Sequence, residues 1–367
     1  MLPNIEKLRE ILSTVLHPEK GKPITELGMI ENLSVKDGKI ELSLLFERAN
    51  DPFLGKIKKE CTDKITDFAG NEFELTINTK LKKKEAPIEP EKPLKDVRNI
   101  IAVASGKGGV GKSTVAVNLA IALARGGYRV GIIDADIYGP SIPKMFGVEN
   151  EKPTGVKIGE KDFIVPIEKF GVKVLSIGFF VDPKNALVWR GPMASGALKQ
   201  LLLDTHWGEL DYLLVDLPPG TSDIHLTLVQ TVAVTGAIVV STPQDVALAD
   251  ARKGVAMFAT HGIEVPVLGL VENMAWFTPE ELPNNKYFIF GDGGCKRLAQ
   301  ELNVPLLGQI PLVQSVREAG DDGNPAAVFK TEITLKAFEE LSDNVIKEVD
   351  ERNDKFEPTK IVKVTHK

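Results

Sequence analysis

Uninterrupted runs of apolar residues constrain the fold of this chain more than any other feature. Five such runs alternate with segments of helical periodicity: IIAVAS, RVGIIDAD, DYLLVDLP, AIVVSTP and VLGLVEN. A strand that is apolar throughout, rather than at every second residue, is typical of a parallel sheet covered by helices on both faces. The runs therefore predict a doubly wound, mostly parallel α/β domain, which we place at residues 97–353.

A different pattern precedes this domain. Residues 1–79 predict a small α+β domain with the order α-β-β-α-β, in which the first helix covers residues 4–16. The dipeptide Asp37-Gly38 between two strand patterns predicts a hairpin. One apolar stripe marks the second helix: Phe53, Ile57, Cys61, Ile65 and Phe68. Both helices are expected to cover one face of a small sheet.

Two polar segments mark the domain boundaries. KLKKKEAPIEPEKPLKD, residues 80–96, mixes Lys, Glu and Pro and predicts an exposed, semi-rigid linker. Residues 354–367 predict a polar and poorly ordered tail. These segments separate the small domain from the α/β domain and end the α/β domain before the C-terminus.

Composition excludes several classes of protein. The net charge of −6 argues against a nucleic-acid or anionic-membrane surface. No apolar run approaches the ~20 residues of a membrane span, and the N-terminus lacks the apolar core of a signal peptide. The two cysteines form no CxxC pair, which excludes a disulfide framework and a standard zinc site. We expect a cytoplasmic protein without nucleic-acid or membrane partners.

A glycine-rich segment follows the first strand of the α/β domain. Its residues Gly106, Gly111, Lys112 and Ser113 satisfy GxxxxGK[ST] between the strand IIAVAS and the helix STVAVNLAIALAR. Loop N–H groups and the helix N-terminus are suited to phosphate, which predicts a P-loop NTPase domain that binds ATP. Lys112 is expected to reach the outer phosphates and Ser113 to ligate Mg²⁺. The predicted nucleotide contacts in this segment are Gly106, Lys107, Gly108, Gly109, Val110, Gly111, Lys112, Ser113 and Thr114.

The loop carries a second lysine, Lys107. GKGGVGKS resembles the deviant Walker motif of a group of dimeric ATPases that includes nitrogenase iron protein and the septum-positioning and chromosome-partitioning ATPases. The resemblance implies that Lys107 reaches across a dimer and stabilises transition-state charge on the partner's nucleotide. A solvated loop lysine is the alternative.

Acidic residues end two of the apolar runs. Asp134 and Asp136 follow RVGII, and Asp216 ends DYLLVD, so all three are expected at the carboxyl edge of the sheet, where ligands bind. The resemblance implies that Asp136 orients the attacking water, that Asp134 lies near Mg²⁺ and that Asp216 belongs to the Mg²⁺ shell. A helix cap or turn is the alternative for each. Asn273, at the end of VLGLVEN, is implied to contact adenine, or else to form a structural turn.

Five longer motifs indicate which family within this group of dimeric ATPases the chain resembles. They are DADIYGPSIP, WRGPM, WGELDYLLVDLPPGTSDIHLTL, STPQDVALADARKGVAMF and ENMAWF. Together they resemble the Mrp (ApbC) family of iron–sulfur cluster carrier ATPases over essentially the whole chain. The N-terminal domain resembles the small iron–sulfur-assembly domain fused to many bacterial members. The resemblance implies a homodimer that hydrolyses MgATP slowly and transfers clusters to apo-proteins, with assembly factors as further partners.

One departure from the family concerns cysteine. The family usually carries a CxxC shortly after ENM, and two such pairs at the dimer interface hold a four-iron four-sulfur cluster. Here the corresponding residues are about Pro279 and Leu282, which cannot supply the soft thiolates that such a cluster needs. The small domain has Asp51 where its family often has a cysteine.

The two cysteines of this chain have different contexts. Cys61 lies on an apolar helical stripe, which predicts a buried and inert thiol. Cys295 follows GDGG at the start of a predicted helix, beside Lys296 and Arg297. A helix N-terminus and neighbouring cations lower a thiol pKa, so Cys295 is the candidate cluster ligand, with a plain structural role as the alternative.

Two other functions compete with cluster carriage. A nucleotide-switched adaptor would hold assembly factors together without binding a cluster itself. A partitioning or positioning ATPase would need a membrane-binding C-terminal helix or a basic DNA surface, and the negative net charge and polar tail argue against both.

Overall fold

The computed structural model describes residues 4–36, 38–46, 51–70, 73–81, 94–137, 139–180 and 191–362. Most of the predicted linker lies outside these ranges. The chain divides into two compact units, Met1–Glu91 and Lys92–Lys367.

The first unit contains the predicted order of elements. They are α1 (Ile5–Leu12), β1 (Ile30–Lys36), β2 (Lys39–Phe46), α2 (Leu54–Ala69) and β3 (Glu74–Leu81). Strand β2 is central, because β1 pairs with it in antiparallel and β3 in parallel orientation. The prediction of this order is confirmed. Of the predicted hairpin turn, Asp37 lies outside the described residues, and Gly38 has a φ of 76°.

The core of the first unit lies between β2 and the two helices. Its fully buried side chains include Leu8, Leu12, Ile40, Leu42, Leu44, Ile57 and Cys61. Helix α1 ends four residues earlier than predicted, and α2 begins one residue after Phe53. Phe68, predicted on the buried stripe, is 42% exposed, because it lies in the last turn of α2, beyond the buried residue Ile65.

The second unit is an α/β domain. Its elements are β4 (Val97–Ser105), α3 (Lys112–Arg125), β5 (Val130–Asp134), α4 (Ile142–Met145), β6 (Thr154–Ile158), β7 (Lys161–Val165), β8 (Ile167–Lys169), β9 (Val172–Ser176), α5 (Gly191–Leu203), β10 (Leu210–Asp216), α6 (Asp223–Thr231), β11 (Gly236–Ser241), α7 (Asp245–Ala259), β12 (Val267–Phe277), α8 (Gly294–Leu302), β13 (Leu306–Leu312), α9 (Gln314–Asp321) and α10 (Glu332–Lys355).

One large sheet organises this domain. Among the described residues, its strand order is β13-β12-β11-β4-β10-β5-β9-β8, and every pair is parallel except β8 with β9. Strands β5 and β11 are buried along their whole length, as the apolar runs predict. Helices α3 and α10 pack against each other and α7 packs against α8. The predicted doubly wound, mostly parallel fold is confirmed.

The C-terminal segment differs from its prediction. Helix α10 continues to Lys355, and the residues after it return to the domain. Thr359 Oγ1 donates to the Val234 carbonyl at 2.5 Å, and the Val362 N–H donates to the Val229 carbonyl at 2.9 Å. The expectation of a poorly ordered tail is therefore wrong up to residue 362. In the part of the chain that is described, no helix has the length and apolar character of a membrane span.

Deleting residues 1–91 is expected to leave phosphate-loop nucleotide binding intact, because the loop and the strands around it lie in the second unit. Titration of both proteins with a fluorescent ATP analogue measures this. Aggregation of the shortened chain, or loss of its nucleotide affinity, would mean that the two units share a core.

Candidate functional site

Three neighbouring strands bring the predicted site residues to one edge of the sheet. Asp216 is the register partner of Val103 on β4 and of Asp134 on β5. Strand β4 ends at Ser105, and the chain then runs through the glycine-rich loop into α3. Because all three strands are parallel, their carboxyl ends meet at this loop.

Glycine is required at defined points of the loop. Gly109 and Gly111 have φ values of +82° and +76°, in the region that favours glycine. A Cβ on Gly106 would lie 2.1 Å from the main-chain carbon of Asp250 in α7, so the loop can approach that helix only without a side chain. The loop borders an open cavity of about 220 Å³, which Asp136 and Lys107 also line.

A buried ion pair lies at the base of this cavity. Lys112 Nζ lies 2.6 Å from Asp216 Oδ1, and Ser113 Oγ donates to Asp216 Oδ2 at 2.6 Å. Lys112 is 6% exposed and Asp216 is fully buried. Burial raises the pKa of Asp216 above its ordinary value, although Lys112 and Ser113 both stabilise the ionised form. The loop lysine and its neighbouring hydroxyl are thus both bound to the acid that ends β10.

The same groups are suited to a magnesium ion. The Ser113 hydroxyl and the Asp216 carboxylate converge, and hard oxygen donors of this kind are what Mg²⁺ prefers. The donor set therefore fits the predicted metal; the contact of Lys112 with phosphate stays a prediction.

Asp134 has a different set of partners. It is fully buried; its Oδ1 accepts the Asp136 N–H at 3.2 Å, and its Oδ2 accepts the Ile142 N–H at 3.2 Å and the Ser176 hydroxyl at 3.1 Å. Burial and the adjacent charge of Asp216 raise the pKa of Asp134 to about 8. Asp134 lies beside Asp216, one of the predicted metal ligands, yet its hydrogen bonds hold the chain around Asp136. The role near Mg²⁺ stays a prediction.

Lys107 lies at the rim of the cavity. Its main-chain carbonyl accepts the Ser105 hydroxyl at 3.0 Å, which fixes the start of the loop. The side chain is half-buried, and no described residue forms a hydrogen bond or ion pair with its ammonium group. An ammonium without a partner at a phosphate cavity is available for an anion supplied from elsewhere.

Asn273 supports the loop from within the domain. It is 5% exposed, and its Nδ2 donates to the Val110 carbonyl at 2.8 Å. A Cβ on Gly111 would come within 2.2 Å of that nitrogen, so the loop and the Asn side chain are closely fitted. The contact is structural; the predicted contact with adenine stays a prediction.

Cys295 is not an exposed thiol. It is fully buried; its N–H donates to Glu272 Oε2 at 2.6 Å, and its Sγ lies 3.9 Å from the Thr242 carbonyl. Burial and the Glu272 charge raise the pKa of the thiol. The prediction of a lowered thiol pKa is therefore wrong, because burial disfavours the thiolate and the Glu272 carboxylate at the N-terminus of α8 opposes the effect of the helix. These contacts favour the plain structural role, which was the alternative.

The remaining thiol is also inaccessible. Cys61 is fully buried, and burial raises its pKa to about 12, which confirms the predicted inert thiol. Asp51 Oδ1 accepts the Phe53 N–H at 2.9 Å just before α2. Within the described ranges, no group of three or more His, Cys, Asp or Glu side chains is arranged to hold a metal ion.

Comparison with known proteins identifies the class. The model of the NUBPL iron-transfer P-loop NTPases matches residues 96–346, and that of an iron-sulfur cluster assembly protein matches residues 5–74. The chain belongs to the NUBPL iron-transfer P-loop NTPase family. The expected Mrp-type resemblance is confirmed, and membership of this family makes the chain a P-loop nucleotide hydrolase.

Individual proteins are similar to this chain over most of its length. The iron-sulfur cluster carrier protein of Escherichia coli K12 is 43% identical, covering 93% of this chain and 92% of that protein. That of Synechocystis is 42% identical over 88% of this chain and 91% of its own length. A nucleotide-binding protein from Archaeoglobus fulgidus, solved in complex with ADP, is 38% identical with a TM-score of 0.56, covering 67% of this chain and 94% of that protein.

Both thiols are expected to resist alkylation in the folded protein at pH 8, because burial raises each pKa and little thiolate forms. Mass spectrometry after iodoacetamide treatment, with and without denaturant, measures the labelling of Cys61 and Cys295. Rapid labelling of Cys295 without denaturant would contradict the buried position.

Proposed function

We propose that this chain is a homodimeric, cytoplasmic carrier that binds and hydrolyses MgATP and delivers iron–sulfur clusters to apo-proteins. The buried group of Lys112, Ser113 and Asp216 beneath the glycine-rich loop carries the ATPase part of this proposal. Cluster delivery is supported by relatives that bear the name iron-sulfur cluster carrier protein and align over most of the chain.

The proposed chemistry assigns one task to each side chain. Lys112 contacts the outer phosphates, and the loop N–H groups bind phosphate oxygens. Ser113 and Asp216 hold Mg²⁺, which neutralises charge on the phosphates when it is bound. Asp136, which lines the cavity, orients the attacking water.

The position of Lys107 supports the proposed homodimer. Its ammonium lies at the cavity rim without a partner among the described residues. A cation supplied by a second subunit stabilises the charge of the transition state, as an arginine finger does. We propose that each subunit supplies Lys107 to the nucleotide of the other.

Mixing two inactive variants tests this arrangement. Lys107→Ala and Asp136→Asn are each expected to bind ATP and to lose most hydrolysis. In a mixed dimer, one site combines an intact Asp136 with an intact Lys107 from the other subunit, so activity should return. If subunit exchange is verified and the mixture stays inactive, Lys107 acts within its own chain.

A second function is favoured by the cysteines. Clusters need thiolate ligands, and Cys61 and Cys295 are buried with raised pKa values. A carrier would therefore need thiols from a client or a small molecule. An adaptor that holds assembly factors in a nucleotide-dependent manner needs no thiolate at all.

Anaerobic reconstitution with iron and sulfide separates the two functions. A carrier is expected to retain both elements through gel filtration, with visible absorption bands, and to transfer them to an apo-protein. Because the Cys295 thiol is buried, Cys295→Ser should retain as much iron as the wild type. A colourless wild-type protein that still binds assembly factors only with ATP would support the adaptor and contradict carriage.

A further inference from the structure

The chain that carries Asp136 is anchored at two points to one carboxylate. Asp134 Oδ1 accepts the N–H of Asp136, and Asp134 Oδ2 accepts the N–H of Ile142, the first residue of α4. The connection between β5 and α4 therefore begins and ends on the same side chain. Any rotation of the Asp134 carboxylate moves both anchors together.

Ser176 holds that carboxylate from the neighbouring strand. Ser176, the last residue of β9, is the register partner of Asp134, and both side chains are fully buried. Its hydroxyl donates to Asp134 Oδ2 at 3.1 Å and accepts the Gly178 N–H at 2.9 Å. A hydroxyl has one proton to donate, so the Gly178 contact directs that proton to Asp134.

A second contact joins the end of β9 to the segment between β5 and α4. A Cβ on Gly178 would lie 3.1 Å from Pro140 Cβ, so the turn after Ser176 packs against the segment that leads into α4. Neither Ser176 nor Gly178 borders the phosphate cavity, whereas Asp136 does. The β5–α4 connection therefore provides a direct structural path from the end of β9 to the cavity.

We propose that Ser176 is a positioning residue for nucleotide hydrolysis, which through the Asp134 carboxylate fixes the main chain of Asp136 at the phosphate cavity. This inference rests on the proposed role of Asp136. The groups proposed to bind phosphate belong to the β4–α3 loop and the first turn of α3, whereas the Ser176 hydroxyl bonds to Asp134 and Gly178. Loss of the Ser176 hydroxyl should therefore impair the chemical step and spare nucleotide binding.

The test compares Ser176→Ala with a matched control. Ser241 also ends a strand of the sheet and is 1% exposed, but its hydroxyl donates to the Thr242 main chain at 3.2 Å. Misplacement of a reacting group by about 1 Å costs on the order of a hundredfold in rate. We expect kcat to fall between about tenfold and a hundredfold in Ser176→Ala, with ATP affinity within about twofold of wild type, and no change in Ser241→Ala.

Hydrogen exchange of the nucleotide-free protein supplies a readout that does not depend on activity. In Ser176→Ala the amides of Asp136 and Ile142 should exchange faster, because their acceptor has lost its support. The Gly220 amide, which donates to the Ser105 carbonyl at 2.8 Å, should exchange as in the wild type. Uniformly faster exchange, with ATP affinity lost in parallel with kcat, would mean a general structural role and overturn the inference.

Asp136→Asn separates this inference from the proposed function. If Asp136→Asn is inactive and Ser176→Ala turns over as the wild type, Ser176 has no positioning role. If Asp136→Asn keeps wild-type turnover, the proposed role of Asp136 fails. If both substitutions act through one group, the double variant should hydrolyse ATP in single-turnover assays at the same rate as Asp136→Asn alone. A rate in the double variant that is lower by the product of the two single reductions would overturn the inference.

Discussion

The buried pair of Lys112 and Asp216 is the interaction on which the rest of the site depends. It joins the first turn of α3 to the end of β10, and Ser113 completes it. Removing one partner of a buried ion pair costs about 3–5 kcal/mol, because the other charge is left without compensation. In the proposed mechanism, phosphate compensates Lys112 and a cation compensates Asp216 when the pair opens. We propose that this exchange couples nucleotide binding to metal binding.

Asp216 and Asp134 lie at the same edge of the sheet, but their carboxylates have different hydrogen-bond partners. Asp216 accepts from an ammonium and a hydroxyl, which suits it to cations. Asp134, its register partner one strand away, accepts main-chain N–H groups and the Ser176 hydroxyl. Asp216 thus has the partners that its proposed role at the nucleotide needs, whereas Asp134 holds the main chain of Asp136.

The residues that were predictable from sequence are those whose signal is local. The apolar runs predict the parallel strands, and the glycine and lysine spacing between a strand and a helix predicts the phosphate loop. Ser176 escaped prediction because it is 42 residues from Asp134, and only the β5–β9 register brings them together. The expectation for Cys295 failed for the same reason: tertiary packing buries the thiol and places beside it Glu272, which comes 23 residues earlier, and both raise the thiol pKa.

The most direct test of the account is a crystal structure of the Asp136→Asn variant with MgATP, which is expected to bind the nucleotide without hydrolysing it. The account predicts that Lys112 Nζ leaves its position 2.6 Å from Asp216 and contacts a phosphate oxygen, while Ser113 Oγ and Asp216 turn to the metal. An intact Lys112–Asp216 pair beneath a fully bound nucleotide would contradict it.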